Sequence, residues 1–157
     1  MIHLDKTKID EMLHMYESDA KYLLEANIEF PILEGKLWFP NKPIYLTKAS
    51  GIHHINNTET TIISNQAAFL LYREALLRGV EGFPCLNEDK LKNLYDSMFI
   101  KKQNTRFKQF ATVREDGDYK VRVEHKTVRK TNGVYFVWYD LSIEDFLDSE
   151  VIGGIKL

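Results

Sequence analysis

The chain has a single cysteine, Cys85, among 157 residues. That excludes an internal disulfide and a cysteine-based zinc cluster. It has no surplus of either charge, since 21 basic residues stand against 23 acidic ones and the net charge is −2. A dedicated nucleic-acid binder carries a basic excess, so nucleic acid is not an expected partner. No apolar run approaches the roughly 20 residues of a membrane span. The start, "MIHLDKTKIDEM", lacks the apolar core of a signal peptide. No glycine-rich phosphate loop is present. His3 and His14 lack the spacing of metal ligands. These absences predict a cytoplasmic protein with neither metal nor cofactor.

What is present is a large apolar fraction, 44% of residues, enough to bury a core. Residues 1–157 are expected to form one domain. Ile9, Met12, Leu13, Tyr16, Ala20, Leu23 and Leu24 recur at helical spacing, which predicts an N-terminal helix over about 8–26 with Thr7 as its cap. The stretch "FPILEGKLWFPNKPIYL" contains three prolines and predicts loops and short edge strands. Residues 45–63 read as extended, because "TETTII" is β-branched. "SNQAAFLLYREALLRG" then predicts a central helix over about 64–79, capped at Ser64 or Asn65 and stopped at Gly79. Its apolar residues occupy most sides, as in a helix that lies inside the protein. A short helix over Glu88–Asp96 follows, capped by Asn87.

The rest predicts three strands, Arg106–Glu115, Tyr119–Lys130 and Val134–Ile143, separated by "DG" at Asp116–Gly117 and "NG" at Asn132–Gly133. Such dipeptides suit two-residue hairpin turns. The expected fold is α+β, a curved antiparallel sheet wrapped around a buried central helix, with the extra N-terminal helix. That is the hotdog architecture. A lone sheet of this kind is expected to pair into a homodimer or a dimer of dimers, which also protects an edge strand.

Polar residues cluster in "HHINNTETTIISNQ" (His53–Gln66), directly before the apolar run. A helix start carries partial positive charge and unpaired N–H groups, which can stabilise an oxyanion in a low-dielectric site. His54, Asn56, Glu59, Asn65 and Gln66 are the candidates around it, with Glu59 or His54 as the group that activates water. Capping and turns use the same residue types. At about 100° per residue, Asn65, Phe69 and Tyr72 share a helix face, with Phe69 as the apolar wall between two polar side chains. Glu74 falls on the opposite face, where it can pair with Arg78; it therefore ranks below Glu59. A two-residue turn at Asn132–Gly133 would set His125 opposite Asp140 and Thr127 opposite Trp138, and a one-residue slip would dissolve the His–Asp pair. Cys85 has no basic neighbour and reads as an inert thiol. "FIKKQNTRFK" (Phe99–Lys108) reads as a solvated basic face that can receive the phosphates of a coenzyme or carrier arm.

The stretch "GKLWFPNKPIYLTKASGIHHINNTETTIISNQAAFLLY" resembles the FcoT-like long-chain fatty acyl-CoA thioesterases. The resemblance rests on His54, Asn56, Glu59, Asn65 and Gln66 in an H-x-N-x-x-E-x5-N-Q pattern, with Tyr72 following. It covers about forty residues in its specific part. It implies a hotdog fold, an oligomer built on dimers, a tunnel for a fatty acyl chain, and thioester chemistry without metal or cofactor at a site lined by Asn65 and Tyr72. The implied substrates are a fatty acyl-CoA or an acyl carrier protein. Asn65, Glu59, His54 and Tyr72 are the expected catalytic residues, and Asn56, Gln66 and Phe69 the substrate-binding ones. Two alternatives stand beside hydrolysis. One is addition of glycine to a carrier-linked enoyl thioester in isonitrile-type biosynthesis. The other is an acyl or lipid binder without catalysis, since a buried helix under aromatic strands makes a pocket equally well.

Overall fold

In the computed structural model the described residues are 1–39, 55–80, 82–108 and 118–157. The elements are β1 (Ile2–Leu4), α1 (Lys6–Met12), β2 (Leu23–Glu29), β3 (Ile32–Leu37), α2 (Asn57–Arg78), α3 (Glu88–Leu91), β4 (Met98–Phe107), β5 (Tyr119–Thr131), β6 (Val134–Ile143) and β7 (Leu147–Lys156). The strands form one antiparallel sheet in the order β1-β2-β3-β5-β6-β7-β4. Side chains alternate along each strand. On β6, Tyr135, Val137, Tyr139, Leu141 and Ile143 are buried while Asp140 is exposed. The inward rows close over α2, whose Ala67, Phe69, Leu70, Leu71, Tyr72, Ala75 and Leu76 are buried.

The central helix begins about two turns earlier than its apolar run suggests. Asn56 is its cap, accepting from the N–H groups of Thr58 (2.9 Å) and Glu59 (3.1 Å), and the Glu59 carboxylate reaches back to the Asn56 N–H at 3.3 Å. This reciprocal box satisfies the orphan donors of the first turn. The β-branched residues 58–63 are helical for two reasons. Thr60 and Thr61 bond back to the carbonyls of Asn56 and Asn57, and Thr60, Ile63 and Ser64 are fully buried. Burial thus overrides the strand preference of "TETTII". Gly79 ends the helix in the left-handed region, with φ of 58°.

Four other expectations change. The N-terminal helix runs only over Lys6–Met12, and its cap is Asp5, which accepts from Lys8 N–H at 2.9 Å. From Leu23 the chain is strand, and "FPILEGKL", expected as loops and short edge strands, is the turn and second strand of a β2–β3 hairpin, with β3 inside the sheet rather than at its edge. The strand after the helices starts at Met98, not Arg106, so "FIKKQNTRF" is the edge strand β4. The short helix expected over Glu88–Asp96 is one turn at Glu88–Leu91 and a 3-10 turn at Tyr95–Ser97. Asp116–Gly117 lies outside the described residues, as do residues 45–54 of the expected extended stretch. The Asn132–Gly133 turn is present, with positive φ at both residues, as a type I′ hairpin requires.

Candidate functional site

The register of β5 against β6 decides what faces the helix. From the turn, Thr127 pairs with Trp138 as the two-residue loop dictates; then a bulge intervenes, and His125 pairs with Tyr139 while Glu124 pairs with Asp140. The expected His125–Asp140 pair is therefore absent. Lys126 is the extra residue, and its ammonium bridges Glu124 (2.8 Å) and Asp140 (3.3 Å) on the outer face. A bulge re-aims a side chain, and here it turns His125 inward. The His125 N–H is held by the Pro31 carbonyl at 2.9 Å. Its ring sits among Phe30, Phe83 and Tyr72, with centroids 5.1, 5.7 and 5.7 Å away.

Inside, two polar pairs bridge helix and sheet. The Tyr72 hydroxyl lies 3.0 Å from His125 Nδ1, and the Ser64 hydroxyl 2.9 Å from that of Tyr139. The tyrosine rings meet edge to face at 5.9 Å. Burial lowers the His125 pKa to about 4, so its imidazole is neutral near pH 7. Burial also raises Tyr72, with Tyr139 adding to the effect, and raises Tyr139, which the Ser64 hydrogen bond partly offsets.

Asn65 is two turns inside α2, not at its start, so the helix N-terminus does not act on it. The side chain lines a cleft of about 270 Å³ with Phe69, Tyr95, Asp96, Met98, Phe99 and Ile100. It also borders a narrow slot of about 10 Å³ that continues inward past Ala68 to Tyr72, Tyr139, Gly153 and Gly154. The two spaces share Asn65, Met98, Phe99 and Ile100. Asn65 thus borders both spaces, with Phe69 on the cleft and Tyr72 on the slot. The Asn65 carboxamide makes no hydrogen bond to another described residue, and it is partly exposed.

The other candidates lie elsewhere. Asn56 and Glu59 form the capping box, and Glu59 is fully buried away from the cleft lining. Gln66 is a tether to the chain entering β2, accepting from Tyr22 N–H at 3.1 Å and donating to the Ala20 carbonyl at 2.6 Å. Both ends of its amide are occupied, which removes it from substrate binding. His54 lies outside the described residues. Glu74 sits with Arg73 (3.3 Å) and Arg78 (4.0 Å) away from the cleft; burial raises its pKa while the two arginines oppose that shift. Among the described residues no three His, Cys, Asp or Glu side chains gather as a metal site. Sequence reasoning missed Asp96, an exposed carboxylate on the cleft wall. Its only signal was its place just before the strand that follows the helices. It also missed Ser64 and Tyr139 as a polar pair, which only the register reveals.

No protein-family profile and no curated sequence matches the chain. Solved structures do match in shape. A mutant thioesterase of Pseudomonas aeruginosa superposes with a TM-score of 0.56 at 8% identity, over 98% of this chain and 96% of the other. A thioesterase of Haemophilus influenzae gives 0.53 at 10% identity, over 97% and 90%. Zebrafish thioesterase superfamily member 2 gives 0.53 at 9% identity, over 97% and 99%. These are thioesterase-superfamily proteins, and what this chain shares with them is the hotdog fold.

Proposed function

We propose that the cleft beside Asn65 hydrolyses an acyl thioester carried on coenzyme A or an acyl carrier protein. The observation that carries this reading is the Asn65 carboxamide, unengaged by other described residues, on the shared lining of the cleft and of the slot on its inner side. In this reading its amide N–H donates to the thioester carbonyl and holds the oxyanion formed on attack. Phe69, Tyr95, Met98, Phe99 and Ile100 flank the acyl and thiol arms. Asp96 is the carboxylate on this wall. It takes a proton from water as the water oxygen bonds to the carbonyl carbon, and returns that proton to the sulfur as the carbon–sulfur bond breaks. Glu59, committed to the helix cap, has no part in this step.

The fold shared with thioesterases and the FcoT-like resemblance around Asn65 and Tyr72 support the same reading. The basic residues of β4 do not add to it: Lys101 lies over the Phe136 ring, and Lys102 and Arg106 border the outer face of the sheet rather than the cleft. No described helix is long and apolar enough to cross a membrane; a cytoplasmic enzyme working as a homodimer, or a dimer of dimers, is part of the proposal. The test is release of free thiol from a panel of acyl-CoA and acyl carrier substrates. Binding without turnover, unchanged by Asn65→Ala, would instead favour an acyl-group binder. Turnover of enoyl carriers that requires glycine would favour addition over hydrolysis.

A further inference from the structure

The slot on the inner side of the cleft is nearly closed. At about 10 Å³ it takes no more than one water-sized group. On the sheet side a Cβ at Gly153 would lie 3.3 Å from both the Phe99 carbonyl oxygen and Val137 Cγ2, so even a methyl group there is tight. On the helix side the buried Ala68 and Tyr72 border it, and Tyr139 borders it from β6.

The two tyrosines are held in place. Tyr72 is tied to His125 Nδ1 at 3.0 Å and Tyr139 to the Ser64 hydroxyl at 2.9 Å, each bond running between α2 and the sheet. Their rings also pack edge to face, with centroids 5.9 Å apart. Moving either ring aside leaves a buried polar group unpaired, which costs more than burying one methylene returns. An acyl chain therefore gains no depth by pushing this floor back.

The cleft itself is apolar over most of its lining, through Phe69, Tyr95, Met98, Phe99 and Ile100, but it is small. Its volume of about 270 Å³ has room for roughly nine water-sized groups. The sulfur and oxygen of a thioester use part of that room, and about six carbons fill the rest. Methylenes beyond that number stay in water, where they add nothing to binding.

We propose that the site takes a short-chain acyl thioester, of about six carbons or fewer, and that Ala68, Tyr72 and Tyr139 set this limit. This rests on the reading of the cleft as a thioester site. A buried methylene raises affinity about fourfold, so the limit has a signature in a series of straight-chain substrates. The gain is steady up to the length at which the tip meets the slot, and it stops there. A long apolar tunnel would instead reward every added methylene.

The experiment measures kcat/KM by thiol release, and affinity by calorimetry, on the full chain. The acyl groups are straight chains of two to twelve carbons, offered on coenzyme A and on pantetheine. Both quantities are expected to rise about fourfold per methylene up to about six carbons and then to level off or fall. Ala68→Val fills the slot from the helix side and should end the rise at a shorter chain. Tyr139→Leu, or Tyr72→Leu as a second variant, opens the floor and should carry the rise to longer chains. A lower folded fraction in a variant scales its profile without moving the break. A rise that continues to twelve carbons, or a break that stays in place in all three variants, would overturn the limit and leave hydrolysis intact. A break in affinity at about six carbons with no thiol released would support the limit and sink hydrolysis alone. No binding at any length would overturn both.

Discussion

The Tyr72 hydroxyl and His125 Nδ1 are 3.0 Å apart across 53 positions of sequence, and a single extra residue in β5 makes that contact. Without the bulge at Lys126, His125 would share the outer face with Asp140. With it, a helix residue and a strand residue are locked in the core, and the register of β5 is pinned by a polar contact as well as by apolar alternation. Replacing Tyr72 by Phe leaves the imidazole nitrogen unpaired, a loss of about 1–3 kcal/mol. Urea unfolding at pH 7 should show a lower midpoint with an unchanged slope.

The same contact predicts acid sensitivity. The His125 pKa is about 4 in the folded protein against 6.5 for an ordinary histidine. The unfolded chain therefore takes up the proton first as pH falls. Stability from this group is complete above pH 6.5, declines toward pH 4, and is gone below it. Tyr72 and Tyr139, which face it from α2 and β6, stay protonated through that window, and Glu124 and Lys126 point to the other face. The group is only half-buried, so the decline is on the order of 2 kcal/mol after solvent screening. His125→Gln should flatten the stability profile between pH 6.5 and 4; an equally steep profile in the variant would assign the acid sensitivity to other groups.

Asn56 and Asn65 should respond in opposite ways. Asn56→Ala removes the helix cap and costs about 1 kcal/mol, with thiol release by the folded protein little changed. Asn65→Ala removes no cap, because Asn65 is two turns into the helix, so its melting temperature should stay close to that of the parent while turnover falls. Glu59→Gln keeps an acceptor for the Asn56 N–H and should leave turnover intact. A large rate loss in Glu59→Gln would restore the carboxylate to the chemistry.

Among the described residues the sheet's two edges are β1, of three residues, and β4, of ten. A long strand exposed along one edge invites a second copy. Light scattering at micromolar concentration should give a dimer or a dimer of dimers, and Asn104→Pro, which removes an N–H from β4, should shift it toward monomer. A monomeric parent would contradict the assembly proposed here.

The central helix was legible because Ala67–Leu77 is apolar on most sides and Gly79 stops it, and the last hairpin because Asn132–Gly133 favours one turn type. The helix start was not, because strand preference in "TETTII" is local whereas the burial of Thr60, Ile63 and Ser64 is a tertiary fact. β2 was hidden in the same way: Leu23 and Leu24 continue a helical spacing, and only pairing with β3 settles their conformation. Of the site, the shared face of Asn65, Phe69 and Tyr72 followed from helix geometry. His125 could not be placed, because nothing local in "RVEHKTV" marks Lys126 as the residue that bulges. Asp96 could not be singled out either, since what distinguishes it is the cleft formed by elements distant in sequence.

The most direct measurement is thiol release from acyl-CoA and acyl carrier substrates by the parent, Asn65→Ala, Asp96→Asn and Glu74→Gln at matched folded concentration. The parent should turn over at least one thioester, Asn65→Ala should lose about 100-fold or more in rate, Asp96→Asn should fall as well, and Glu74→Gln, held by Arg73 and Arg78 away from the cleft, should remain largely active. Loss of activity in Glu74→Gln, with Asn65→Ala and Asp96→Asn turning over normally, would contradict the account and move the chemistry to the other face of the helix.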